Sequence, residues 1–255
     1  MTDPVVPTWE GDPLSAFLSD AQRNERVSAL KMPDLYAVLQ RVHATFEQVA
    51  TITARENNPS LLPARFLMAR ARGAWLAAVR LAMSGQTVEA YPLVRAIIEA
   101  AWYALHIGKD PQPPARAVIW LRRNDDDSAK AQCKTEFRVG TVRATHATLD
   151  AEAEKALHTL YEWTIELGGH PNERGVLAAV TRADTGQAIT FGAVLLANDP
   201  NLIAVALKSA VEAAVGALKA FRLIFPERFA IMGVDGEIDK LVGQLNAVFA
   251  SYRAS

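Results

Sequence analysis

The residues best suited to chemistry form one stripe between positions 91 and 106. Tyr91, Arg95, Glu99, Trp102 and His106 recur every three or four residues, so a helix turning about 100° per residue presents them on one face. The other side of this helix carries Leu93, Ile97, Ala100 and Ala104. Because a solvated face more usually carries Lys, Glu and Gln than Tyr, Trp and His, the stripe predicts a groove, an interface or a ligand site.

Arg95 and Glu99 are four residues apart, the spacing at which side chains meet on a helix. One interpretation is a surface ion pair that contributes about 0.3 to 0.5 kcal/mol. In the other, Glu99 orients Arg95, part of whose guanidinium binds a carboxylate, a phosphate or a backbone carbonyl. Tyr91 and Trp102 are then the flat walls of a site for a small molecule or a protein partner.

A second candidate site is the loop that follows the paired glycines Gly168 and Gly169. His170 opens this loop, and its pKa near neutrality suits a catalytic acid or base. Asn172 lies two residues further on and joins the binding candidates. The alternative is that His170 only braces a turn, because the sequence shows no nucleophile or base to accompany it.

Metal and cofactor sites find little support in the sequence. His158, Glu162, Glu166 and His170 follow one another at intervals of four residues, but the two glycines take His170 off the helical line. A solvated helix face explains the other three better, so no metal is predicted. Because the chain also lacks a phosphate loop, a Gly-x-Ser-x-Gly elbow, a His-Glu-x-x-His helix and a dinucleotide fingerprint, no cofactor is predicted.

Composition favours a helical protein of the cytoplasm. The chain has 255 residues, is 50% hydrophobic and carries a formal net charge of −1, which does not support RNA binding despite local arginines at 65, 70 and 72. Cys133 is the only cysteine, which fits a reducing compartment, and the first residues lack a secretory signal. Charged residues interrupt the apolar segment 202–225, so it is expected to be a buried helix with no membrane contact.

The periodicity predicts a multi-helix bundle built on a central antiparallel helix hairpin. Apolar residues repeat at helical spacing over 34–56 and 63–84, and the two-faced helix 91–106 follows after a short connection. Gly85 suits a left-handed cap between the last two helices, and Pro92 is expected near the start of the second. The fold class is therefore mainly α.

The remaining segments complete a single helical domain over residues 31–255, preceded by an arm with a short helix over residues 1–30. Helices are expected at 118–121, from Asp150 to Leu167, from 199 to 225 and from 236 to 252. Between them, the segments 176–181 and 189–194 flank a polar turn at 184–186 and predict a small β-hairpin.

The segment Leu93-Val94-Arg95 with Glu99, followed much later by His170-Pro171, resembles uncharacterised bacterial helical proteins. These proteins are similar to the HEPN-like families found around abortive-infection and toxin systems, and the resemblance covers roughly residues 60–180. It implies a helical homodimer and, for active members, RNA cleavage by an arginine followed closely by a histidine. The chain departs from that pattern, because Arg95 precedes His106 by eleven positions.

Three hypotheses follow for the stripe on the helix 91–106. In the first, the protein is a homodimeric interaction or ligand-binding protein, in a defence or toxin-like system, and Tyr91, Arg95, Glu99 and Trp102 line its groove. In the second, it is a ribonuclease or other hydrolase in which His170 transfers a proton and Arg95 stabilises developing negative charge. In the third, the stripe is covered by the C-terminal half and has an architectural role.

Overall fold

The computed structural model describes residues 11–169, 173–184, 186 and 188–254. The first part of the chain forms α1 (Pro13–Lys31), α2 (Pro33–Thr53), a 3-10 turn (Pro59–Leu61), α3 (Leu62–Ser84), α4 (Thr87–Gly108), α5 (Ala115–Leu121), α6 (Asp127–Glu136) and α7 (Val139–Leu149). The second part forms α8 (Ala151–Thr164), a π-helical turn (Ile165–Gly169), α9 (Glu173–Ala178), β1 (Val180–Asp184), β2 (Ile189–Ala193), α10 (Pro200–Ile224), α11 (Pro226–Ile231) and α12 (Val234–Ala254). This is the mainly α bundle with a small β-hairpin that the sequence predicts.

The hairpin of α3 and α4 lies at the centre of the bundle, as predicted. Gly85 ends α3 in the left-handed region with φ of +94°, and a Cβ there would lie 2.4 Å from the carbonyl oxygen of Ala197. The amide of Ala197 donates to the carbonyl of Gly85 at 2.8 Å. Glycine is therefore required at this turn both for its backbone conformation and for the close approach of the loop before α10.

The helix α4 begins at Thr87, earlier than the sequence indicated, so Pro92 lies inside it. Since proline has no N–H, it cannot donate to the carbonyl of Val88 one turn earlier. The π-helical turn packs at this point, and a Cβ on Gly168 would lie 2.6 Å from that carbonyl oxygen. The proline and the glycine together bring the end of α8 against the first turns of α4.

The long helix α10 closes the core against α3, α4, α8 and α12. Asp199 caps it, as predicted, by accepting a hydrogen bond from the amide of Asn201 at 2.8 Å. Within the described part of the chain, α10 alone is long and apolar enough to cross a membrane, and 67% of its most apolar stretch is buried inside the protein. Packing against its neighbours therefore accounts for its composition.

The helices α6 and α7 are absent from the sequence prediction. The only buried residue of α6 is Cys133, and α7 buries only Val142 and His146. Helices with so few apolar contacts do not produce the periodic pattern from which an amphipathic helix is recognised. Both nevertheless pack close to α4 and provide partners for its polar side chains.

The β-hairpin forms between residues 180 and 193, with Val180 opposite Ala193 and Asp184 opposite Ile189 in antiparallel register. The prediction of a strand starting at Val176 was wrong, because residues 173–178 form the short helix α9. Both strands are exposed along almost their whole length. The hairpin therefore projects from the bundle instead of contributing to its core.

The N-terminal segment contains α1, a helix of 19 residues. Asp12 caps it by accepting from the amide of Leu14 at 2.9 Å, and Ser28 donates to the carbonyl of Met83 at 2.8 Å. The contact of Ser28 fixes α1 to the end of α3. The division into an arm and a domain stays a prediction, and residues 1–10 lie outside the described part.

Candidate functional site

The predicted stripe lies on α4 as expected, but most of it is inside the protein. Tyr91 is 6% exposed, and Trp102 and His106 are 0% exposed, because α7, α8, α10 and the π-helical turn pack against α4. The side chains of Arg95 and Glu99 retain 25% and 37% exposure. This placement agrees with the third hypothesis, in which later parts of the chain cover the stripe, and the binding roles of its residues stay predictions.

Trp102 and His146 form the innermost polar contact beneath this face. The indole Nε1 of Trp102 donates to Nδ1 of His146 at 3.2 Å, between α4 and α7. Because an indole can only donate, the histidine ring accepts at Nδ1 and is neutral in this arrangement. Burial lowers the pKa of His146, and the carboxylates of Asp150 and Glu154 oppose this shift. The pair therefore holds two helices together with an uncharged histidine.

His106 is held from both ring nitrogens by α6 and α7. Its Nδ1 lies 2.7 Å from Oγ1 of Thr145, and its Nε2 lies 3.0 Å from Oε1 of Glu136. Nε of Arg116 donates to the same carboxylate oxygen at 2.9 Å. Burial lowers the pKa of His106, and the charge of Arg116 acts in the same direction. Since a substrate cannot reach a ring that is 0% exposed, this network joins helices and does not form an open site.

Arg95 and Glu99 form the ion pair that their spacing predicts. Nε of Arg95 donates to Oε1 of Glu99 at 2.8 Å, and the hydroxyl of Tyr161 donates to the same oxygen at 3.2 Å. The guanidinium also lies over the ring of Tyr161, with Cζ 4.9 Å from its centroid. Burial and the charge of Glu99 raise the pKa of Tyr161 to about 12. Glu99 thus orients Arg95 against α8 at the edge of the covered face.

The loop candidates His170 and Asn172 lie outside the described residues. The distance between the His170 ring and Arg95, on which the enzyme hypothesis depends, is therefore not fixed by the structure. On the preceding helix, Nε2 of His158 lies 3.1 Å from Oε1 of Glu162, whose side chain is 57% exposed. Glu166 is 53% exposed, as expected for the solvated face that the sequence favoured over a metal site.

A cavity of about 390 Å³ lies between α2 and α3. Its floor consists of buried apolar side chains from α2, α3 and α10, namely Phe46, Val49, Met68 and Phe221. Phe66 and Leu76 line the cavity from α3 and are 62% and 43% exposed. We call this cavity the α2–α3 groove.

Gly73 lies in the wall of the α2–α3 groove, in the middle of α3. A Cβ added at this position would meet nothing within 4 Å. A side chain at position 73 would therefore extend into the empty space of the groove without displacing the fold. The glycine keeps the groove open at its centre.

Two arginines also line the α2–α3 groove, and they differ in their partners. Arg72 donates from Nη2 to Oε1 of Glu47 at 2.8 Å, while its Nε is buried without a hydrogen-bond partner. Arg65 donates to the backbone carbonyls of Glu56 at 2.9 Å and Ala54 at 3.1 Å. Arg65 thus satisfies carbonyls at the C-terminal end of α2, and Arg72 forms an ion pair with the same helix.

The sequence contains a signal for this groove, although the helical repeat of apolar residues did not predict it. Phe66, Gly73 and Leu76 fall on one side of α3, next to arginines that were predicted only as a local basic patch. Large apolar residues on the polar side of a helix indicate contact with something other than water. The cavity itself depends on how α2 diverges from α3, which no local pattern specifies.

No family model matches the chain, and neither a curated protein nor a solved structure matches it. The described residues form a helical bundle with an apolar, arginine-lined groove. The HEPN-like resemblance stays a prediction.

Proposed function

We propose that this chain is a helical ligand-binding protein whose site is the α2–α3 groove. The observation that carries the proposal is a cavity of about 390 Å³ with a buried apolar floor. This volume lies in the range of about 300 to 1,000 Å³ that small-molecule sites occupy. Sites of this kind combine an apolar lining with a few polar groups, and here Arg65 and Arg72 are those groups.

The proposal moves the binding site away from the stripe on α4. Trp102 and His106 are 0% exposed, so neither offers a surface to a ligand. The groove, in contrast, exposes Phe66 and Leu76 beside buried apolar side chains. Covering these side chains with an apolar ligand contributes roughly 25 cal/mol for each Å² removed from water, which is the driving force we assign to binding.

Filling the groove at Gly73 is expected to abolish binding while making the fold more stable. Gly73→Leu places a side chain in the cavity, and leucine is favoured over glycine inside a helix by about 0.5 to 1 kcal/mol. Isothermal titration with decanol measures binding, and urea denaturation measures the free energy of unfolding. We expect the decanol affinity to fall by more than about tenfold, since the leucine occupies the space of the ligand.

The matched control is Gly243→Leu, in the interior of α12, where an added Cβ also meets nothing within 4 Å. It is expected to raise stability by a similar amount and to leave decanol binding unchanged. Unchanged binding in Gly73→Leu, or an equal loss in both variants, would contradict a site in the α2–α3 groove.

We also propose that the chain forms a homodimer through its projecting β-hairpin. Phe191 and Ile189 are 72% and 52% exposed, and Leu177 and Leu195 near the hairpin are 66% and 63% exposed. A two-stranded hairpin is only marginally stable by itself, and each of its strands has an unpaired edge. When an edge strand pairs antiparallel with the same strand of a second copy, the unpaired backbone groups of both strands form hydrogen bonds. Each protomer then makes the same contacts, as the two-fold axis of a homodimer requires.

Sedimentation equilibrium tests the dimer. The intact protein is expected to have twice the mass of the 27.7 kDa chain, and Phe191→Asp is expected to shift it to the monomer. Ile231→Asp is the control, because Ile231 is 82% exposed on α11, away from the hairpin. A monomeric wild-type protein at micromolar concentration, or a dimer that Phe191→Asp leaves intact, refutes this interface.

RNA cleavage, the function that the HEPN-like resemblance implies, stays a prediction. Its proposed acid or base, His170, lies outside the described residues. Arg95 and Glu99, the other members of that site, are paired with each other at 2.8 Å. Location in the cytoplasm and a role in a defence or toxin-like system likewise stay predictions.

A further inference from the structure

The α2–α3 groove carries positive charge as well as apolar surface. Of the described residues that line it, Arg65 and Arg72 are basic and none is acidic. The two arginines are seven residues apart on α3, so both lie along the same side of the groove, about 10 Å from each other along the helix axis. An apolar ligand that enters the groove therefore lies next to guanidinium groups.

The partners of the two arginines leave one positive charge without a carboxylate. Arg72 is neutralised by Glu47, whose Oε1 lies 2.8 Å from its Nη2. Arg65 donates to the backbone carbonyls of Glu56 and Ala54, and among the described residues no carboxylate forms an ion pair with it. Carbonyls at the end of a helix carry partial charge only. The groove thus has an excess of about one positive charge, located at Arg65.

We infer, on the basis of the proposed function, that the ligand of the α2–α3 groove is an amphipathic monocarboxylate. Its apolar chain covers the floor formed by Phe46 and Phe221, and its carboxylate binds the guanidinium of Arg65. A guanidinium retains N–H donors after two hydrogen bonds and binds a carboxylate with favourable geometry. The distance from Arg65 to Leu76 is about 16 Å along α3, which favours an elongated chain over a compact ring.

A single negative charge fits this site better than a dianion. One excess positive charge balances one carboxylate, whereas a phosphate monoester leaves a second negative charge among apolar side chains. A neutral ligand leaves Arg65 uncompensated at the edge of the groove, and a cationic ligand is repelled by the charge of Arg65. The order of affinity is therefore expected to be carboxylate, then alcohol, then amine for chains of equal length.

Titration calorimetry with decanoate, decanol and decylamine tests this order on the intact protein. We expect decanoate to bind about tenfold more tightly than decanol, which is the effect of one charge-assisted hydrogen bond. Arg65→Met keeps an unbranched apolar side chain and removes the charge. In this variant decanoate is expected to bind no more tightly than decanol, and decanol binding that persists shows that the groove is intact.

The matched control is Arg70→Met, because Arg70 is an exposed residue of α3 that does not line the groove. It is expected to keep the tenfold preference, and Arg65→Lys is expected to keep most of it. Equal binding of decanol and decanoate, or a preference that survives in Arg65→Met, overturns the carboxylate inference but leaves the groove as a binding site. No binding of any of the three probes overturns the proposed function as well.

Discussion

Replacing Trp102 with alanine is expected to lower the free energy of unfolding by about 3 to 5 kcal/mol. The indole is 0% exposed, its ring centroid lies 5.3 Å from that of Tyr161, and its Nε1 donates to His146 at 3.2 Å. Alanine therefore leaves a cavity between α4, α7 and α8 and also removes the donor to a buried nitrogen. Urea denaturation followed by circular dichroism measures the change.

Two further variants separate packing from hydrogen bonding at this position. Trp102→Phe keeps most of the apolar ring and removes the N–H, so a loss of about 1 to 3 kcal/mol is expected. Trp163→Ala removes the same side chain from a position on α8 that is 53% exposed, and a loss of about 1 kcal/mol or less is expected. If Trp102→Ala loses no more stability than Trp163→Ala, the stripe on α4 is not an interior face.

The protein is expected to lose stability as the pH falls below about 6.5, the ordinary pKa of an unfolded histidine. Burial lowers the pKa of His106 and of His146 in the folded state, so the unfolded chain binds more protons in this range. The free energy of unfolding therefore rises with pH, by up to about 1.4 kcal/mol per pH unit for each histidine, and this stability is fully present above about pH 6.5. Protonation of His146 also removes the acceptor that Trp102 uses.

Urea titrations between about pH 5 and pH 8 test this dependence, since most carboxylates titrate below that range. His146→Gln is expected to reduce the slope, because it removes a histidine whose pKa is lowered by burial in the folded state. A slope that is equal in the wild type and in His146→Gln would contradict a neutral, buried His146.

The elements that the sequence predicted correctly are those whose signals are local. Gly85 and the alanine-rich faces on either side of it define the α3–α4 hairpin, and Asp199 with Pro200 defines the start of α10. The helices α6 and α7 were missed because they bury few apolar residues, although they provide Glu136, Thr145 and His146. Local patterning identifies an element only when that element has an apolar face of its own.

The stripe on α4 also shows the limit of what local sequence patterns can predict. The aromatic and charged stripe on α4 was recognised, and so was the pair of Arg95 and Glu99. Whether such a stripe faces a ligand or the interior depends on side chains such as His146 and Tyr161, which are distant in sequence. A buried polar network and an open groove require the same residue types, since both must pair hydrogen-bonding groups away from bulk water.

The most direct test of a ligand site in the α2–α3 groove is a crystal structure of the protein with bromine-labelled decanoate. The anomalous signal of a terminal bromine locates the end of the alkyl chain of the ligand independently of the electron density for the protein. The bromine is expected over the groove floor near Phe46 and Phe221, with the carboxylate within hydrogen-bond distance of Arg65. A bromine bound only elsewhere on the protein, or an empty groove at saturating decanoate, would contradict the proposed function.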